Sequence, residues 1–144
     1  MKRIIVTVVG VLVPVLLLAP NAFAQLSEQS VERALAPLPA AAREAATVVK
    51  WNADFTYETV KAGTSRLVCY DQSGQPGEQP FSAQCTSIAN LPRVAQNRKF
   101  EAVTDREARA KMLNDAEADG TRVKPEYGSM WIAMTGTDQA SARL

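Results

Sequence analysis

The chain contains two cysteines, Cys69 and Cys85, and the fifteen residues between them include Gly74, Pro76, Gly77 and Pro80. If the two sulfurs join, they limit every fold open to the chain, because the Cα atoms of a disulfide must come within about 7 Å of each other. Whether they join depends on where the protein lives. Disulfides form and persist in oxidising compartments and are rare where thiols are kept reduced.

The N-terminus addresses that question. Lys2 and Arg3 form a short basic start, and Ile4 to Ala19 is almost wholly apolar. Ala22-Phe23-Ala24 then offers small residues at the two positions a signal peptidase reads, with the cut expected between Ala24 and Gln25. The apolar run of 16 residues, interrupted by Gly10 and Pro14, is shorter than the about 20 residues that span a bilayer. Residues 1–24 therefore read as a signal peptide, touching the membrane only in transit, and 25–144 as a single small domain, secreted or periplasmic. Export makes Cys69–Cys85 a disulfide. Their spacing is not a C-x-x-C redox motif, and two cysteines without a histidine cannot supply the four ligands of a structural zinc site. Closing a loop of this length stabilises by about 3 kcal/mol in the chain-entropy account. The bridge is expected to pin an otherwise mobile Gly/Pro-rich excursion.

With Lys2 and Arg3 removed, the 16 basic residues fall to 14, against 15 acidic ones. So balanced a charge gives no electrostatic case for binding nucleic acid or an anionic membrane surface.

Residues 25–46 lean to helix, with Leu26, Val31, Ala34 and Leu35 at helical spacing until Pro37, and Pro39 opening a second short helix. From Ala46 to Trp51 the residues are β-branched and strand-like. The segments 55–62 and 65–71 are expected to form a hairpin around Ala62-Gly63-Thr64. Residues 72–99 read mostly as loop, with one helical turn at Leu91–Asn97. Thr104-Asp105-Arg106-Glu107 has the form of a capping box, which predicts a helix over 105–118 ended by Gly120. Ser129 to Thr135 is a nearly continuous apolar run, expected to be a strand buried on both faces, and 136–144 a loose tail. Together these elements predict a small α+β domain with a mainly antiparallel sheet.

The segment Ala46-Thr47-Val48, Gly63-Thr64, Cys69, Asp71, Pro76 and Cys85 resembles a group of uncharacterised secreted bacterial proteins that share an ATV strand, a G-T-x4-C-x-D segment, a Pro/Gly-rich loop and a second Cys. The likeness covers roughly residues 38–90, with weaker traces at Met112-Leu113 and Ser129–Met134. Those proteins often carry an aromatic where this chain has Val68, and often continue with a further apolar strand. The resemblance implies export and a shared small fold, and no chemistry.

Zero histidines exclude a Ser-His-Asp triad, a Cys-His pair and any His-ligated metal. No G-x-S-x-G, P-loop or G-x-G-x-x-G occurs. No catalytic residue stands out, and carboxylates, Lys, Tyr and Ser are what remains. Asp54 with Glu58 is the acid/base pair a secreted carboxylate-only hydrolase would use. Asp115, Glu117, Asp119, Gly120 and Glu126 fall at positions 1, 3, 5, 6 and 12 of an EF-hand-like loop, a spacing suited to calcium. Against it stand Glu in place of a shorter carboxylate at position 3, and Arg122 at position 8; a solvated helix end with Arg122 or Lys124 folded onto the carboxylates is the competing expectation. Trp51, Tyr57 and Tyr70 lie on strand-like segments, as a half-buried aromatic sheet face or a stacking surface for a ligand such as a sugar. Arg93, Arg98 and Lys99 read as a solvated basic surface. The reading that fits best is an exported, disulfide-stapled, non-catalytic domain that binds a protein or small-molecule partner.

Overall fold

A computed structural model describes residues 20–144, with side chains described from residue 28 on. The apolar segment 4–19 lies outside the described residues. The elements run α1 (Pro20–Leu35), α2 (Ala40–Arg43), β1 (Thr47–Trp51), β2 (Tyr57–Lys61), β3 (Leu67–Asp71), β4 (Phe81–Ser87), a 3-10 turn (Ile88–Asn90), α3 (Leu91–Glu101), α4 (Arg106–Ala118) and β5 (Ile132–Gly136). The strands form a five-stranded sheet in the order β2-β1-β3-β4-β5. All neighbours are antiparallel except β1 and β3, which run parallel. This is an α+β domain, the class the residue patterns indicate.

The expected hairpin is corrected. Both of its segments are strands, but β1 lies between them and pairs with each. Thr47, Val48 and Val49 are buried, and a strand buried on both faces belongs in the sheet interior, with a partner on each edge. The true hairpins are β1–β2, turning at Asn52–Thr56, and β3–β4. Ala62-Gly63-Thr64 is a crossover instead of a turn. The Thr64 and Ser65 amides both donate to the Ala45 carbonyl, and the Lys61 ammonium donates to the carbonyls of Arg43, Glu44 and Ala46. Gly63 passes so close to the start of β1 that a Cβ would lie 2.4 Å from the Ala45 carbonyl oxygen.

Each face of the sheet carries a helix. On one face Ala34, Leu35 and Leu38 pack with Ala46, Val48, Cys69 and Cys85. On the other, Leu91 and Val94 of α3 pack with Val49, Val68, Tyr70 and Trp51. α4 lies against α3. Its N-cap is Asp105, whose carboxylate accepts from the Ala108 amide, one residue later than the Thr104 cap expected. Gly120, at φ 76°, ends it as expected.

Cys69 and Cys85 form a disulfide with Cα atoms 4.1 Å apart. They face each other directly in the β3–β4 register, and both are fully buried. The bridge therefore braces two paired strands in the core beneath α1, and the mobile-excursion expectation is corrected. Of the stretch 72–99 read mostly as loop, only 72–80 is irregular; β4, where Phe81, Ala83 and Cys85 alternate with Ser82, Gln84 and Thr86, the 3-10 turn and α3 occupy the rest.

Two further expectations change. β5 is an edge strand of half-buried and exposed residues, not one buried on both faces. The tail is not loose: Thr135 and Arg143 exchange backbone hydrogen bonds, and Ala142 is buried with Phe81 and Ala83. Among the described residues no helix is long and apolar enough to cross a membrane.

Candidate functional site

The parallel ladder between β1 and β3 is short. It holds Thr47 opposite Val68 and Val48 opposite Cys69, and ends there. A register irregularity between Val48 and Val49 turns β1 toward β2 at that point. Beyond it, Val49–Trp51 and Tyr70–Asp71 separate, and a fissure of about 280 Å³ opens at the carboxyl ends of the two parallel strands. Its lining comes from both faces of the sheet: Ala34 of α1 on one side, Trp51 and Arg98 on the other. In open sheets with parallel strands, the crevice outside the carboxyl strand ends is where ligands bind.

Arg98 fills the α3 side of the fissure. It stands seven residues after Leu91 and four after Val94 on α3, which places it in the helix's buried stripe. Only 5% of it is exposed, so the expected solvated basic surface is corrected for this residue; Lys99 beside it is exposed and Arg93 half-buried. Its guanidinium lies 4.9 Å from the Trp51 ring centroid and 5.9 Å from that of Tyr70. Cation–π contact of this kind contributes about 0.5–2 kcal/mol. Trp51 meets Tyr57 and Tyr70 edge-on, with centroids 5.3 and 5.9 Å away. The three aromatics singled out in the sequence thus converge, with Arg98 as the cation among them.

The hydrogen bonding around Arg98 is sparse. One Nη reaches the Asp71 carbonyl at 3.5 Å. Among the described residues its Nε is buried without a partner, and so is the Trp51 Nε1. Both residues line the fissure. The other buried arginine shows the contrast. Arg122 donates to Gln96 Oε1 and Asn97 Oδ1 at 2.6 Å each, lies 3.7 Å from a Glu117 carboxylate oxygen and stacks on Phe100. Arg98 forms no ion pair among the described residues. The nearby Asp71 is bound by Arg33, whose Nε donates to Oδ2 at 3.0 Å and whose Nη2 donates to the Ser73 hydroxyl.

Desolvation lowers the pKa of Arg98, opposed by the negative field of Glu101, Glu78 and Asp71. Burial raises the Tyr70 phenol, which stays neutral and donates to Gln84 Oε1 at 2.5 Å. On its other side Arg98 lines a second, polar cleft of about 290 Å³ shared with Gln72, Glu78, Gln84 and Glu101. There burial lifts the Glu101 carboxyl above the usual range, while Arg98 pulls it down.

The four carboxylates of the calcium-like spacing do not converge. Asp115 pairs with Lys111, and Glu117 with Lys124 and Arg122. Asp119 accepts from the Thr121 amide and hydroxyl, and Glu126 pairs with Arg66. The competing expectation, Arg122 and Lys124 folded onto a carboxylate, describes Glu117. Among the described residues no three His, Cys, Asp or Glu side chains are grouped to hold a metal ion. Asp54 is occupied in the β1–β2 turn, accepting from the Thr56 hydroxyl and amide, which lowers its pKa. Glu58 pairs with Lys50.

Sequence reasoning found Trp51 and Tyr70 but missed Arg98, whose signal was its place in the Leu91–Val94 stripe. Compared with protein-family models, curated proteins and solved structures, the chain matches none.

Proposed function

We propose that this chain is an exported, disulfide-braced, non-catalytic binding domain whose ligand seat is the fissure between β1 and β3. The basic start, the apolar run and Ala22-Phe23-Ala24 support export with cleavage before Gln25. The disulfide agrees with that address, since such bonds persist outside reducing compartments. The resemblance to secreted bacterial proteins points the same way.

One observation carries the binding reading. Two buried N–H donors, Trp51 Nε1 and Arg98 Nε, have no acceptor, and their side chains line the same small space. Native proteins rarely leave buried donors unmatched, because each costs about 1–3 kcal/mol. Both atoms are closed off from solvent, so an acceptor-bearing ligand would recover that loss by shifting the Trp51 and Arg98 side chains as it enters the fissure. The chain has no histidine and its two cysteines are joined to each other, which supports binding over turnover.

The test follows the Trp51 indole N–H by NMR in the purified, disulfide-bonded protein while acetate, phosphate, glucose and acetamide are added separately. The expected result is a saturable shift with at least one probe, absent in Arg98→Met. A peak unmoved by all four ends the reading. Mass spectrometry of the native protein checks the address: the expected chain begins at Gln25, and its thiols alkylate only after reduction.

A further inference from the structure

We infer that the fissure takes a small organic monocarboxylate, its carboxylate on Arg98 and Trp51 and its short apolar tail toward α1. This deepens the binding reading above and rests on it. Three features narrow the ligand. First, the unmatched groups are both donors, and one belongs to a cation, so the complement is an acceptor that carries negative charge. A carboxylate fits a guanidinium edge with two parallel hydrogen bonds, shorter and about twice as strong as neutral ones. Arg122 has an ion-pair partner in Glu117, whereas among the described residues Arg98 has no carboxylate at ion-pair distance and feels Glu101, Glu78 and Asp71 only through their field.

Second, the surroundings limit how much negative charge can enter. Asp71 stands at the fissure and Glu78 and Glu101 at the cleft on the other side of Arg98. Arg33 neutralises Asp71, but the field of the remaining carboxylates opposes a dianion such as phosphate more strongly than a monoanion. Third, part of the fissure is aliphatic. Ala34, Val48, Val49 and Val60 line it beside the polar Ser30, Lys50, Ser73 and Gln75, and the aliphatic part rewards a tail of CH₂ groups.

The experiment uses ¹⁵N-labelled, disulfide-bonded protein carrying Trp131→Phe, which leaves Trp51 as the single indole. Sodium butyrate, sodium phosphate and butyramide are titrated separately to tens of millimolar. Butyrate is expected to shift the Trp51 indole peak to saturation, butyramide and phosphate to leave it in place, and Arg98→Lys to weaken butyrate by roughly tenfold or more. If Arg98→Lys fails to fold, acetate, butyrate and hexanoate on the parent protein replace it: affinity should rise about two- to fourfold per added CH₂ until the tail outgrows the fissure. A series flat in tail length overturns the proposal. A shift by phosphate or butyramide with none by butyrate also overturns it and leaves the binding reading standing; silence from every probe removes both.

Discussion

β3 has two neighbours, and its two seams are built differently. Toward β4 the strands pair from Leu67 opposite Ser87 to Asp71 opposite Ala83, with the disulfide across the middle. Toward β1 the ladder stops after Val48 and Cys69, and beyond it the fissure opens with Arg98 on its α3 side. The sealed seam is local, a hairpin that a covalent bond reinforces. The open seam joins segments separated by a crossover, and its backbone gives way to a charged group held between two rings. The contrast teaches that a sheet can be fully laddered on one side of a strand and left open on the other, with β3 bordering both seams.

The largest effect should come from the sealed seam. Replacing both cysteines by alanine is expected to cost about 3 kcal/mol in urea unfolding. An unchanged midpoint would mean that the ladder alone seals that seam, and the contrast would lose its covalent half. Next is the closed end of the open seam. Gly63→Ala pushes a methyl into backbone at the start of β1, and is expected to cost about 2 kcal/mol because backbone cannot step aside as a side chain can. Hydrogen exchange should speed up at Thr47–Val49 and stay slow in β4; equal loss in both would show that the seams are not separable.

The smallest effect is electrostatic and lies beside Arg98. The Glu101 carboxyl is raised chiefly by burial, with Arg98 opposing, so the folded state holds its proton more tightly than the unfolded chain. That contribution favours folding at low pH and is lost as pH rises from the ordinary glutamate value through the raised one. Glu101 keeps contact with solvent, so Glu101→Gln is expected to raise stability at pH 7 by only about 0.5 kcal/mol or less, with the difference gone below about pH 4. Urea midpoints of the two proteins across that range provide the check; a variant less stable at pH 7 would show that Arg98 wins over burial at this carboxyl.

Local signals in the residues carried much of the fold. Pro37 and Pro39 set off the first two helices, and Gly120 closed α4, because caps and breakers act over a few residues. Longer-range features were harder. Thr47–Val49, read simply as a strand, lies in the sheet interior, while the run at 129–135, expected to be buried on both faces, supplies an edge strand. Composition cannot tell a central strand from an edge strand covered on one side. Phe81–Ser87 alternated with period two throughout, yet its small polar residues resembled a loop. The candidate site was half legible. Its aromatics stood out by type, but Arg98 was grouped with its charged neighbours, because a charge at an inward helical position reads as surface until packing shows what surrounds it.

The C-terminal residues carry a practical consequence. Ala142 lies so close to Gly136 that a Cβ there would come within 2.7 Å of its Cα, and Arg143 is stitched to Thr135. Deleting the last three residues would strip β5 of this outer clasp and bare the end of the core around Phe81.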